Sequence, residues 1–236
     1  MTQELNRDSS TMDLEGFLLK QNLENFPKIE IAVLRNISAE FIETHLRFQM
    51  IKRGLNGILK FGGFGEFFKE AVEGAPTLIN DETRVVWIFT PIAQISNALA
   101  YEFQSLSPET LEDEINRLKL MFEGVITGLR QQTSAMILWN GMESPLYPEL
   151  GIADPQKSFG QFDAIAKVNS DLRNALACSH NAYFVDADRC LARIGQNSFY
   201  DTRANYLTGN PYGRAGLSEL AAEALKFIVA GDTRNF

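Results

Sequence analysis

Between Arg84 and Thr90 run five consecutive apolar residues, Val-Val-Trp-Ile-Phe. A strand with no polar face must be covered on both sides, which is the condition of a parallel strand inside an α/β sheet. Lys28-Ile-Glu-Ile-Ala-Val-Leu-Arg35 reads the same way and comes first along the chain. A weaker strand spans Leu55–Phe61, a fourth runs from Ala135 to Trp139 and ends at Asn140-Gly141, and a fifth is Ala182–Asp186. Helical periodicity fills the intervals. Leu14, Phe17 and Leu18 mark a helix over 11–26, closed by Pro27. Phe41, Ile42, His45, Leu46 and Met50 give the next helix a buried face, with Ser38 as its N-cap and Gly54 at its end. A further helical stretch covers Glu66–Val72. Ser107-Pro108-Glu109 is a strong helix start, and a period of three to four continues to Leu129. Helices over 162–177 and 217–229 complete the set.

Strands alternating with helices predict a three-layer α/β/α fold around a doubly wound, parallel, five-stranded sheet. The expected organisation is an N-terminal extension, 1–27, followed by one domain, 28–232. In such a sheet the ligand crevice lies outside the carboxyl ends of the strands, so Arg35, Asn36, Ile37 and Ser38 are expected to line it. The loops 141–158 and 195–216 are long enough to carry function.

Composition excludes several classes. A net charge of -8, with no Lys/Arg run, makes a poor binder of phosphate backbones, so nucleic acid is not an expected partner. Cys178 and Cys190 form no CxxC or Cys/His cluster, and we expect two buried free thiols, no metal and no cofactor. The N-terminus has no apolar signal segment and no run is long enough for a membrane span, so a cytoplasmic protein is expected. Gly62-Gly-Phe-Gly65 precedes a helix but lacks the spacing of a phosphate loop. It reads as a tight turn. Asp186-Ala-Asp188 follows a strand like the carboxylate pair of a haloacid-dehalogenase phosphatase, yet too little chain follows to build that core, and a strand terminus with a helix cap is the simpler role.

A serine at the end of strand one, with Asp and His from the last loop, would describe an SGNH-type esterase. Ser38 is near that place. His45 lies on a helix among apolar neighbours, and His180 precedes strand five, at the amino end of the sheet. From Lys28 to Ile228 the chain resembles the N-terminal SGNH-hydrolase-like domain of FkbH-like proteins. The resemblance rests on Asn36-Ile-Ser38, Gly63-Phe-Gly-Glu-Phe67, Asn140 with Pro145 and Leu150-Gly151, and Val168-Asn-Ser-Asp-Leu-Arg173. It continues through Val185-Asp-Ala-Asp-Arg189, Gly195, Phe199-Tyr-Asp-Thr-Arg203 and Tyr206. It implies an SGNH-hydrolase-like or flavodoxin-like sheet. It also implies proximity to a haloacid-dehalogenase domain and to glyceryl loading of acyl carrier proteins. The departures are specific. Arg35-Asn36-Ile37 stands where those hydrolases have Gly-Asp-Ser, Thr90-Pro-Ile-Ala replaces a Gly-x-Asn-Asp, and Asn210-Pro211 replaces His-Pro. Two readings follow: a binding or accessory module for acyl or glyceryl carrier-protein chemistry, in natural-product or glycan biosynthesis, or a divergent esterase or acyltransferase using Ser38 and Asp201. Candidate binding residues are Arg35, Asn36, Phe64, Gly65, Thr90, Asn140, Tyr200, Arg203, Tyr206 and Asn210. Phe64, Tyr200 and Tyr206 are expected as an apolar wall. Arg35, Arg203 and Arg214 are expected as a basic patch for an acidic carrier protein, with a small acyl or glyceryl substrate and a separate haloacid-dehalogenase-type protein as further partners.

Overall fold

The computed structural model describes residues 9–232. Five strands, β1 (Lys28–Arg35), β2 (Asn56–Phe61), β3 (Thr83–Phe89), β4 (Met136–Asn140) and β5 (Ala182–Val185), form one sheet in the order β2-β1-β3-β4-β5. Every pairing is parallel. The chain turns outward in both directions from β1 and β3, so the topological switch point lies between those two strands.

Alternate residues of the central strands supply two separate cores. Ile31 and Val33 of β1, Val85 and Trp87 of β3 and Leu138 of β4 face one side. There they are covered by α2 (Ile42–Ile51), α8 (Ala187–Ile194), α9 (Gln196–Phe199) and α11 (Arg214–Asp232). Ala32, Leu34, Val86, Ile88, Ile137 and Trp139 face the other, under α3 (Phe67–Val72), α5 (Asn97–Tyr101), α6 (Pro108–Gln132) and α7 (Gln161–Ala177). Each fully buried Leu, Ile or Phe here stabilises the fold by about 1.5–3 kcal/mol. The two tryptophans lie on opposite faces, and each sends its N–H to a polar residue at the end of the neighbouring strand. Trp87 Nε1 donates to Asn140 Oδ1 at 2.8 Å, and Trp139 Nε1 donates to Thr90 Oγ1 at 2.7 Å.

Several expectations need correction. The N-terminal helix, α1 (Thr11–Leu18), stops well short of residue 26. Asn22 Oδ1 accepts the Glu24 N–H instead, a local bond that competes with helix continuation. α1 is nevertheless anchored, since Leu14 is fully buried and Phe17 meets Phe48 edge-on at 5.3 Å. Ser38 does not cap α2: a 3₁₀ turn, Ala39–Phe41, intervenes, and the Ser38 side chain makes no cap bond. Cys190 is buried, but Cys178, at the C-cap of α7, is exposed; both are free thiols. Short helices were missed. They are α4 (Ile92–Ile95), α5 and α8, and, inside a stretch expected to be irregular, α9 and α10 (Thr202–Thr208).

Candidate functional site

The carboxyl ends of β1 and β2 are held by side chains of the rim itself. Arg35 donates from Nε to the Gly62 carbonyl at 3.0 Å and from Nη1 to the Ile37 carbonyl, and it pairs with Glu40 at 2.7 Å. Its guanidinium therefore ties β1 to β2. The glycine loop after β2 is occupied by a carboxylate of its own chain. Gly63 N–H donates to Glu70 Oε1 at 2.8 Å, and a Cβ on Gly62 would meet Glu70 Oε2 at 2.2 Å. A group of the same charge as a phosphate already fills the turn.

At the switch point Asn36 N–H continues the ladder to the Phe89 carbonyl at 3.0 Å, and Nδ2 donates to the Gln94 carbonyl at 3.4 Å. Its Oδ1 is buried without a partner. Ile37, in the place of the expected nucleophile, is 2% exposed and part of the core on the α2/α11 side. Ser38 Oγ donates to the Thr208 carbonyl at the end of α10, and Ser38 N–H reaches the Gly209 carbonyl at 3.4 Å. Gly209 takes φ +73°, which lets the chain turn there against Ser38. Asp201 is the N-cap of α10, its Oδ1 accepting the Ala204 N–H at 2.8 Å.

The β4–β5 side is arranged differently. Trp is donor-only, so the bond from Trp87 fixes the Asn140 amide with Oδ1 inward. Nδ2 is left buried with no acceptor. Such an orphaned donor costs about 1–3 kcal/mol. Three residues on, Glu143 is buried and accepts a 2.6 Å hydrogen bond from Tyr212 Oη. Burial lifts the Glu143 carboxyl to about 7, against the hydrogen bond from Tyr212, with the negative charge of Asp188 pushing the same way. Tyr212 and Tyr200 are both raised, first by burial and then by Glu143. Asp188 receives the Ser144 N–H and Oγ–H at 2.8 Å each, and Asp186 caps α8 through the Arg189 N–H at 2.9 Å. Tyr200 and Tyr212 stack with centroids 6.3 Å apart and form an isolated antiparallel bridge. Asn210 supports the same corner, its Nδ2 donating to the Tyr212 carbonyl at 3.0 Å. Glu143 and Tyr212 buried together, with half-buried Asp188 and Tyr200 around them, make this corner a candidate site. Sequence reading took Asn140, Tyr200 and Asn210 from it, read Asp188 as part of a strand terminus and helix cap, and missed Glu143, Ser144 and Tyr212. A glutamate just past a strand end was the one available signal.

The other candidates stand apart. Tyr206 is 91% exposed on α10 and Phe64 59% exposed after β2, while Tyr200 packs on Phe199 and Tyr212, so the three rings build no common wall. Gly65 turns with φ +78°, its N–H on the Arg35 carbonyl. Of the expected basic patch only Arg214 lines the pocket of about 440 Å³ beside α10, and it does so among Glu15, Glu40, Glu43 and Asp201. Arg203 is exposed on α10. His45 also lines that pocket; burial, reinforced by the Arg214 charge, lowers it to about 4, so it is neutral. His180 sits at the amino end of the sheet, where its carbonyl accepts from Arg130 at 2.7 Å. Among the described residues no group of three or more His, Cys, Asp or Glu is placed to hold a metal ion, and no helix is long and apolar enough to cross a membrane.

Solved structures decide the fold. The N-terminal part of a Bacteroides fragilis protein containing a phosphatase domain, complexed with Mg, superposes with a TM-score of 0.74 at 16% identity. The match covers 95% of this chain and 57% of that one. A lipase from a goat rumen metagenome follows at TM-score 0.61 and 10% identity, over 84% of this chain and 97% of that one. The fold is SGNH-hydrolase-like. The same architecture carries a salicylyl-acyltransferase from a tetracycline biosynthetic pathway, at TM-score 0.51 and 13% identity over 89% of this chain and 56% of that one. At these identities the likeness is one of fold. The chain spans 57% of the length of the Bacteroides structure. No family model and no curated protein matches the sequence. In SGNH-hydrolase-like terms, the resemblance read from the sequence holds for the architecture, and the rim is where this chain must be read on its own residues.

Proposed function

We propose that this SGNH-like chain is a binding or accessory module for acyl or glyceryl carrier-protein chemistry, in natural-product or glycan biosynthesis, and not a serine esterase. The observation that carries this reading is the Ser38 hydroxyl, whose proton goes to the Thr208 carbonyl. A serine becomes a nucleophile when a general base takes that proton, and a peptide carbonyl is not a base of that kind. Ile37, the residue at the expected nucleophile position, is in the core. Two unpartnered amide atoms lie buried just beneath the rim, Asn140 Nδ2 and Asn36 Oδ1; a ligand that uncovers them would meet a donor for a carbonyl oxygen and an acceptor for a hydroxyl or amide N–H. A glyceryl or acyl-pantetheine group carries both kinds of partner.

The test pairs turnover with binding. Wild type and Ser38→Ala are assayed on short-chain p-nitrophenyl esters and on an acetylated carrier-protein thioester. Glyceryl- and acetyl-pantetheine are titrated by calorimetry. No turnover, and saturable binding weakened about tenfold by Asn36→Ala, is the expected result. Turnover by wild type that Ser38→Ala abolishes would replace this reading with the divergent esterase or acyltransferase.

A further inference from the structure

We infer that a pocket between α6 and the loop after β4 binds the apolar chain of a small, soluble, anionic amphiphile. None of the rim residues lines it, so the inference does not rest on the function proposed above. The cavity is about 670 Å³, within the roughly 300–1,000 Å³ of ligand sites. Its apolar lining comes from Phe103 and Leu106 in the segment between α5 and α6, Leu111 and Ile115 of α6, and Leu150 and Phe159 of the loop after β4.

Polar bonds fasten the wall segments to one another. Gln104 N–H donates to Glu149 Oε2 at 2.8 Å, and Gln104 Nε2 donates to the Glu149 carbonyl at 2.6 Å. Gln161 Oε1 accepts the Glu149 N–H at 2.9 Å, while Gln161 Nε2 donates to the Leu99 carbonyl at 2.8 Å. The loops after β3 and β4 are thus zipped together, and the cavity between them is preformed. Phe159, one of the lining side chains, is 43% exposed. One exposed apolar residue on a surface is ordinary. Lining an apolar cavity with fixed walls, it adds to the surface a hydrocarbon chain can cover.

Charge selects the head group. Lys157 lines the pocket and makes no ion pair with a described residue. Lys167 is already neutralised by both oxygens of Asp171 at 2.5 Å. Pro108, at the first turn of the 25-residue α6, also lines the cavity, so the positive end of that helix faces the site. Glu112 also lines the cavity and opposes an anion, so the head is expected to carry a single negative charge and to pair with Lys157.

Calorimetric titration with decanoate, decanol and decyltrimethylammonium tests this on the whole chain. One site per chain with decanoate tightest and the ammonium weakest is expected. Phe159→Ser, at a half-exposed position that does not hold the core, should weaken decanoate about 10-fold, and Lys157→Glu about 5-fold while raising affinity for the ammonium. No saturable binding of decanoate, equal affinity for both head charges, or indifference to Phe159→Ser and Lys157→Glu together would overturn the proposal. So would a dimer in sedimentation that Phe159→Ser dissolves, or co-sedimentation with phosphatidylglycerol vesicles, if either occurs without decanoate binding.

Discussion

The two halves of the carboxyl rim use similar residues for different ends. At β1 and β2 most of the polar groups hold the chain together: Arg35 on two carbonyls and Glu40, Glu70 in the glycine turn, Ser38 on Thr208, Asp201 on its own helix, with Asn36 Oδ1 the unpartnered exception beside them. At β4 and β5 the polar groups gather on one another, buried Glu143 raised to about 7 by burial while it accepts from Tyr212, Asp188 half-buried, and an amide donor of Asn140 left without a partner. The lesson is that position in an α/β fold does not assign chemistry. At the corner where the resemblance expects a nucleophile, Ser38 donates to the Thr208 carbonyl and Ile37 is in the core, while the raised carboxyl of Glu143 lies past the end of β4, two strands away.

The comparison breaks most easily at Ile37. Ile37→Ser restores the expected serine but empties a core position, and we expect about 3–4 kcal/mol of lost stability in urea unfolding with no esterase activity gained. Activity on p-nitrophenyl acetate would mean that the β1 corner retains its machinery. The next effect belongs to Glu143. Its folded pKa, about 7, lies above the ordinary 4.5, so the folded state holds the proton more tightly than the unfolded chain. Stability is full below about 4.5, falls as pH rises to about 7, and is flat beyond. Glu143→Gln should remove that slope and leave the variant more stable than wild type at pH 8 by about 3 kcal/mol; parallel pH profiles for the two would show that Glu143 is not the titrating group. Tyr212→Phe takes away the hydrogen bond that favours the carboxylate, and should cost about 2 kcal/mol at pH 8 and less at pH 5. The smallest change is Ser38→Ala, about 1 kcal/mol, because it removes one hydrogen bond at a half-buried site.

The sheet was legible because its information is local. Parallel strands covered on both faces must be written as apolar runs, and Lys28–Arg35 was placed to the residue, the others within one. The β4–β5 corner was not legible because its bonds are not local: Glu143 meets Tyr212 across 69 residues, and Ser144 meets Asp188 across 44. Ser38 shows the same limit from the other side. Its place before a helix suggested a cap, but a carbonyl 170 residues away takes its hydroxyl. Even Asp186-Ala-Asp188, read as cap and strand terminus, was half visible: Asp186 caps α8, while the partner of Asp188 comes from the loop after β4.

The central claim, that the β1 corner is structural, is tested most directly by treating the protein with a fluorophosphonate that labels activated serines and mapping adducts by mass spectrometry. The account predicts no adduct on Ser38 under conditions that fully label an SGNH lipase. A stoichiometric adduct on Ser38 would contradict it.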